Sequence, residues 1–460
     1  MLEDIAPKKI SLLEWSERFE KLTDDDIGRF TYYHNEEWGR YLQPPATFMV
    51  YGARQLKRLQ FDNSLAALRM WGFVFNESER LFRARQCGKK IIATMGDLGT
   101  VPVIVMAFPG CTPFYPECIW WTPFFNESNV LLDTASELGA PEAACFSRAA
   151  LGAFFKRAYF PVPDRIFAST GATCDDFTST IQSIEHLGFD VTWFEVPFRR
   201  TYPDRIYDDA QFEAKFLKRT EDYLIKEYRR IWDIMAGLTG KENTDILIES
   251  IRKTNRLRAL AREIMDETHN AETAPFPALE LMTIEFGNLY GYADIDEWLS
   301  ILENVRDTVQ LRIERGTGIQ PKNAVPIAWI NPSADPFLLN FVEDLNLRVV
   351  DTEYVIRQAL VQIDETAEPF RALARSFLHA SLIGSTRQRI ASILRAIDQG
   401  KIKGVLITNV LGGSHCAMET KLMERMIDSV PVLSLDVPPP PGITEQIKTR
   451  IEAFAEALHD

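Results

Sequence analysis

No two cysteines of this chain stand in a CxxC pair, and no zinc-finger spacing occurs. Its six cysteines, Cys87, Cys111, Cys118, Cys145, Cys174 and Cys416, are too sparse over 460 residues for a disulfide framework, so reduced thiols are expected. Long apolar runs are missing as well. The most apolar, residues 101–107, is far too short to span a bilayer. Positive charge is not in excess: the formal net charge is −14, which argues against a nucleic-acid or anionic-membrane partner. The opening Met1-Leu2-Glu3-Asp4 is acidic and leads into no apolar core segment, so no secretory signal is read and the cytoplasm is the expected compartment. Nucleotide motifs are absent too. Gly96-Asp97-Leu98-Gly99-Thr100 lacks both the dinucleotide fingerprint and the phosphate-loop lysine and reads as a tight turn. Residues 237–241 join two helices instead of following a strand.

What is present is ordinary for a globular chain, 46% hydrophobic and 25% charged, and long enough for two or three domains. The most informative stretch is 165–198. Residues 165–169 form a short apolar run fit for a buried parallel strand, and Thr170-Gly171-Ala172-Thr173 is a loop of small residues leading to Cys174. Asp175 and Asp176 suit the first turn of a helix, where unpaired amides carry partial positive charge. Gly188 ends that helix and 191–196 is the next strand. In open α/β sheets ligands sit just past the carboxyl ends of strands, which is where Cys174 falls. Cys416 repeats the arrangement after a strand at 404–408 and the loop Asn409-Val410-Leu411-Gly412-Gly413-Ser414-His415. Cys145 falls in the expected first turn of a helix over 142–157, where amides lower a thiol's pKa. On spacing alone, six scattered cysteines read first as small buried hydrophobes.

In chain order, helices are expected over 12–22 and 64–85, and strands over 89–95 and 103–108. Three prolines make 109–118 an irregular loop. Residues 207–316 carry four long helical patterns with many charges, over 213–235, 245–269, 276–290 and 295–315, the first of them amphipathic, and 323–460 return to strand–helix alternation, closing in a helix over 444–458. The expected fold is α/β: two Rossmann-like α/β lobes with a helical segment between them and an N-terminal helical extension. The expected divisions are 1–88 (N-terminal helical segment), 89–200 (first lobe, with Cys145 and Cys174), 201–322 (helical segment) and 323–460 (second lobe, with Cys416).

Several short motifs together resemble one family. Cys145-Phe146-Ser147-Arg148, Ala168-Ser169-Thr170-Gly171-Ala172-Thr173-Cys174-Asp175, Glu195-Val196-Pro197, Asn255-Arg256, Cys416 after Gly404-Val405-Leu406, and Thr449-Arg450-Ile451-Glu452-Ala453-Phe454 are similar to segments of the 2-hydroxyacyl-CoA dehydratases, the family that includes the class I benzoyl-CoA reductase subunits. The match runs over about residues 90–460. The resemblance implies a 4Fe–4S cluster held by Cys145, Cys174 and Cys416, with one iron position left open. It implies a CoA thioester substrate handled by anaerobic low-potential one-electron (ketyl radical) chemistry, either a lyase dehydration or an oxidoreductase ring reduction. The implied partners are a related second subunit (a hetero- or homodimer) and a separate ATP-dependent activator with its own iron–sulfur cluster. Ser147, Asp175 and Ser414 are candidates to hydrogen-bond around the cluster, and His415 is a candidate catalytic proton donor. A structural hydrogen bond for His415, and a plain helix-start charge for Asp175, are the ordinary alternatives. Two other functions fit the same resemblance: a double-cubane-type small-molecule reductase, and a non-catalytic subunit that stabilises an active homologue.

Overall fold

The structure, a computed structural model, describes residues 6–23, 57–117, 130–142, 144–171, 174–198, 210–240, 243–331, 336–353, 360–380, 383–410, 418–438 and 444–459. The amino-terminal part contains β1 (Lys9–Ser11), α1 (Leu12–Phe19), β2 (Gln60–Asp62), α2 (Leu65–Phe75) and α3 (Glu77–Gln86). Ser11 and Glu14 form a reciprocal capping box that starts α1. The pairing of β1 with β2, antiparallel, was not anticipated from the helical pattern, and Asn76 breaks the expected 64–85 helix in two.

The first lobe runs β3 (Lys90–Met95), α4 (Val101–Met106), β4 (Cys111–Phe114), α5 (Val130–Glu137), α6 (Ala149–Lys156), β5 (Arg165–Gly171), α7 (Asp175–His186) and β6 (Val191–Val196). Two expectations are corrected here. The run at 103–108 is not a strand but lies mostly in α4. Its residues are apolar on every side because the helix is buried on every side, so it shows no helical stripe to read. The proline-rich loop contains a strand, β4, with Pro113 level with Ile92 of β3. β4 is an edge strand, where a residue without an N–H is tolerated.

Four helices follow: α8 (Ala210–Thr239), α9 (Thr244–Asn270), α10 (Ala278–Tyr290) and α11 (Ile295–Glu314). Asn243 caps α9 and Asp294 caps α11, each accepting from a first-turn amide. The second lobe runs β7 (Val325–Ile330), α12 (Pro336–Asp344), β8 (Leu347–Glu353), α13 (Pro369–Leu378), α14 (Thr386–Arg389), α15 (Ala391–Asp398), β9 (Gly404–Val410), α16 (Thr420–Met426), β10 (Val432–Val437) and α17 (Glu445–His459).

The two lobes have separate sheets with the same topology. One has strand order β4-β3-β5-β6, the other β8-β7-β9-β10, and every pair in both is parallel. In each, the chain goes from the first strand to one side and then returns past it to the other. This makes a topological switch point between the first and third strands, at β3/β5 and at β7/β9. Cys174 follows β5 and Cys416 follows β9, the third strand of each lobe. One hydrophobic cluster runs from Ile10 through both lobes and the helices to Ala455. A second, smaller cluster fills the space between one face of the second sheet and the helices α15 and α16.

Candidate functional site

The carboxyl edge of the first sheet is built around Gly171, the last residue of β5. Its φ is +99°, and a Cβ added there would lie 2.4 Å from the Val196 carbonyl oxygen, so only glycine fits. Three residues on, Cys174 occupies the N-cap position of α7 in extended backbone. Its side chain does not cap the helix, while its carbonyl accepts from Thr178 N (3.1 Å) and Thr178 Oγ1 (3.2 Å). A residue at this position is usually a hydrogen-bonding Ser, Thr, Asp or Asn, so a cysteine here is not explained by capping.

Cys145 lies just before a 3₁₀ turn, Phe146–Arg148, that runs into α6; the helix starts later than the expected 142. That turn packs against α7, which brings the segments bearing Cys145 and Cys174 together. Arg148 is buried and anchors the turn by donating from Nη1 to the Ala144 carbonyl (2.6 Å). The expected lowering of the Cys145 pKa is reversed. Burial pushes the thiol up, the amide and hydroxyl of Ser147 pull it partly back, Asp176 adds to the rise and Arg148 opposes it. Ser147 is fully buried and its hydroxyl has no hydrogen-bond partner. Asp175 is exposed, and the first-turn carboxylate that acts on Cys145 is the half-buried Asp176.

Cys87 is exposed beyond α3. Cys111 begins β4 level with Lys90, at the amino edge of the sheet, whereas Ala168 is level with Met95 and Gly171 lies beyond it. At ~3.3 Å per residue, roughly 25 Å of strand separates the level of Cys111 from Gly171. Burial raises the Cys111 thiol to about 11. Cys118, Ser414, His415 and Cys416 lie outside the described residues. Among the described residues, no three His, Cys, Asp or Glu side chains group as a metal ion would need.

The feet of the segment carrying Cys416 are described. Asn409 of β9 accepts from Thr420 Oγ1 of α16 (2.5 Å). Arg389, 1% exposed, donates from Nη1 to Glu419 (2.8 Å), from Nη2 to Asn331 (3.0 Å), and from Nε and Nη2 to the two oxygens of Glu353 (3.2 and 2.9 Å). One guanidinium thus ties together the ends of β7 and β8 and the start of α16.

Sequence reasoning missed the group beside the β3 end. Glu117 is 5% exposed, accepts from Gly96 N (2.8 Å), and its second oxygen has no partner. Burial first, and then Asp97, raise its pKa to about 8, so it is mostly protonated at neutral pH. Asp97 takes the Thr100 and Val101 amides (2.8 and 3.0 Å), the Thr100 hydroxyl (2.5 Å) and the Tyr115 hydroxyl (3.1 Å). The start of α4 is therefore occupied by the chain's own carboxylate, as the tight-turn reading of 96–100 requires. An acidic residue inside Phe114-Tyr115-Pro116-Glu117 was the available signal.

The fold and these loops define a class: a two-lobed α/β protein with a parallel sheet and a switch point in each lobe, and with Cys174 just past the third strand of the first. The family model described as 2-hydroxyglutaryl-CoA dehydratase, D-component, matches residues 93–458, most of the chain, and the protein belongs to that family. No curated protein matches the chain. Among the described residues, no helix is long and apolar enough to cross a membrane.

Proposed function

We propose that this protein is the iron–sulfur subunit of a 2-hydroxyacyl-CoA dehydratase-type enzyme, with Cys145, Cys174 and Cys416 as ligands of one 4Fe–4S cluster. The observation that supports this reading is the packing of the turn that follows Cys145 on α7, the helix that follows Cys174, with both cysteines half-buried. The donor set fits: two thiols without disulfide partners and a helix-start amide environment, with the buried, unpartnered Ser147 hydroxyl two residues from one of them. Burial of a neutral thiol stops being a cost once a cation binds, because a coordinating thiol is deprotonated outright.

When bound, the cluster would supply low-potential single electrons and an open iron position for a thioester substrate. The chain's own residues would do the rest. Glu117 holds a proton on Oε2 at neutral pH at the end of β4, on the same carboxyl edge of the sheet as Cys174. It is thus a candidate to protonate a leaving hydroxyl or to hydrogen-bond a thioester oxygen. Ser147, Asp175 and Ser414 would surround the sulfurs, and His415 would serve as a second proton donor. The absence of a nucleotide motif supports a separate ATP-hydrolysing activator, and the component name of the family supports a related second subunit. The compartment proposed is the cytoplasm.

Anaerobic purification with iron and sulfide analysis tests the reading. About four irons per chain are expected. Cys145→Ser, Cys174→Ser and Cys416→Ser should each abolish iron binding with the circular dichroism spectrum intact, while Cys111→Ser should retain it. A wild-type chain that takes up no iron under anaerobic reconstitution, or a Cys145→Ser chain that keeps its full complement, would overturn the assignment.

A further inference from the structure

Arg258, on α9, is 1% exposed, and its guanidinium reaches three parts of the molecule. Nη2 donates to the Gly99 carbonyl (2.5 Å), in the loop after β3 of the first lobe, and to the Tyr292 hydroxyl (3.3 Å) between α10 and α11. Nη1 donates to the Val361 carbonyl and to Ser376 Oγ (3.3 Å), both in the second lobe, and Nε has no partner. All four acceptors are neutral oxygens. The carboxylate of Asp97 is engaged instead by Thr100 and Tyr115.

A buried full charge without a carboxylate on it is expensive, and an apolar side chain of similar volume would pack at less cost. What the guanidinium provides instead is a rigid fork of donors, which can hold several backbone groups at fixed separation. Both backbone groups it holds belong to strand-end loops. Residues 96–100 leave the carboxyl end of β3. Residues 360–365 lie between β8 and α13 and are lashed along α9 by its neighbours. Asn255 donates to the Ile363 carbonyl (2.7 Å) and accepts from its amide (2.8 Å), and Arg262 donates to the Leu360 carbonyl.

We infer that Arg258 is a positioning residue that pins the loop after β3 of the first lobe to the 360–365 strap of the second. It thereby sets the gap that a site shared between the lobes must bridge. Its consequence for a cluster on Cys145, Cys174 and Cys416 rests on the function proposed above; the pin itself does not.

The test uses the full chain with Arg258→Met and Arg258→Lys, read by hydrogen exchange and, in the anaerobic holoprotein, by iron content and the electron paramagnetic resonance of the reduced state. Lysine keeps the charge but presents a single point donor, so it should not rescue. Both variants should exchange about tenfold faster or more at 96–100 and at 360–365 together, with the sheet strands unchanged. Arg262→Met, which touches only the strap, should loosen 360–365 alone. The holoprotein variants should keep their iron but show a shifted resonance signal. Exchange that rises in only one of the two segments, or evenly over the whole chain, or rescue by lysine, would overturn the pin. Because the exchange measurement needs no metal, a wild type without iron would sink the function proposed above and leave the pin still decided by exchange.

Discussion

Gly171 and Glu280 show what single residues determine here. Alanine at 171 would be strained at φ +99° and would meet the Val196 carbonyl. Gly171→Ala should lower stability by about 1–3 kcal/mol in chemical denaturation and reduce iron uptake, although Cys174 is untouched. An unchanged midpoint would mean that the turn has a second conformation open to it. Glu280 is fully buried on α10 and accepts from Asp62 N (2.9 Å) and Trp71 Nε1 (3.1 Å); burial first, and then Asp62, raise its pKa from 4.5 to about 8. The folded state therefore binds the proton more tightly than the unfolded chain. Its contribution is whole below the unfolded pKa and is lost as pH rises through about 8. Glu117 adds to the same trend. Thermal midpoints should fall between about pH 5 and 8.5, and Glu280→Gln should flatten part of that slope. A midpoint rising with pH over that range, with Gln making no difference, would contradict the assignment.

At the scale of elements, strand ends are held by buried arginines. The Arg389–Glu353 pair is almost wholly buried and bidentate, and it joins β7, β8 and α16 at the edge from which the Cys416 segment leaves. Removing one partner strands the other charge in the interior. Arg389→Met should therefore cost about 3–5 kcal/mol in urea unfolding, and adding Glu353→Leu should recover much of that loss. A single variant costing under about 1 kcal/mol, the range of exposed pairs, would show that the pair is solvated.

Across the whole molecule, the lobes, the helices and the amino-terminal elements share one hydrophobic cluster. Arg312 of α11 pairs with Asp62 at 2.6 Å, and Lys9 of β1 pairs with Asp344 of α12 at 2.6 Å, so residues before the family match are tied into the parts behind it. Unfolding is expected as one calorimetric transition, because the larger cluster is common to both lobes and the second lobe's own cluster is much the smaller. Two well-separated transitions would show that the shared cluster does not couple the lobes.

The sequence by itself determined the alternation of the two lobes, the four long helices and the two strand–loop–cysteine segments. Period-two and period-3.6 patterns, acidic first turns and closing glycines are local properties, legible wherever one face of an element is wet, as in α7 and α9. Where every face is buried the stripe vanishes and only length is left to tell helix from strand, so the thirteen-residue α10 was legible and the six-residue α4 read as a strand. Where an edge forgives a proline the usual exclusion fails, and so β4 read as a loop. Only the tertiary structure decided that the turn after Cys145 packs on α7, that Cys111 lies on the far edge of its sheet, and that burial raises Glu117. Each of these depends on which residues distant in sequence share a small volume, and it is there that desolvation and unpaired polar groups acquire their energies.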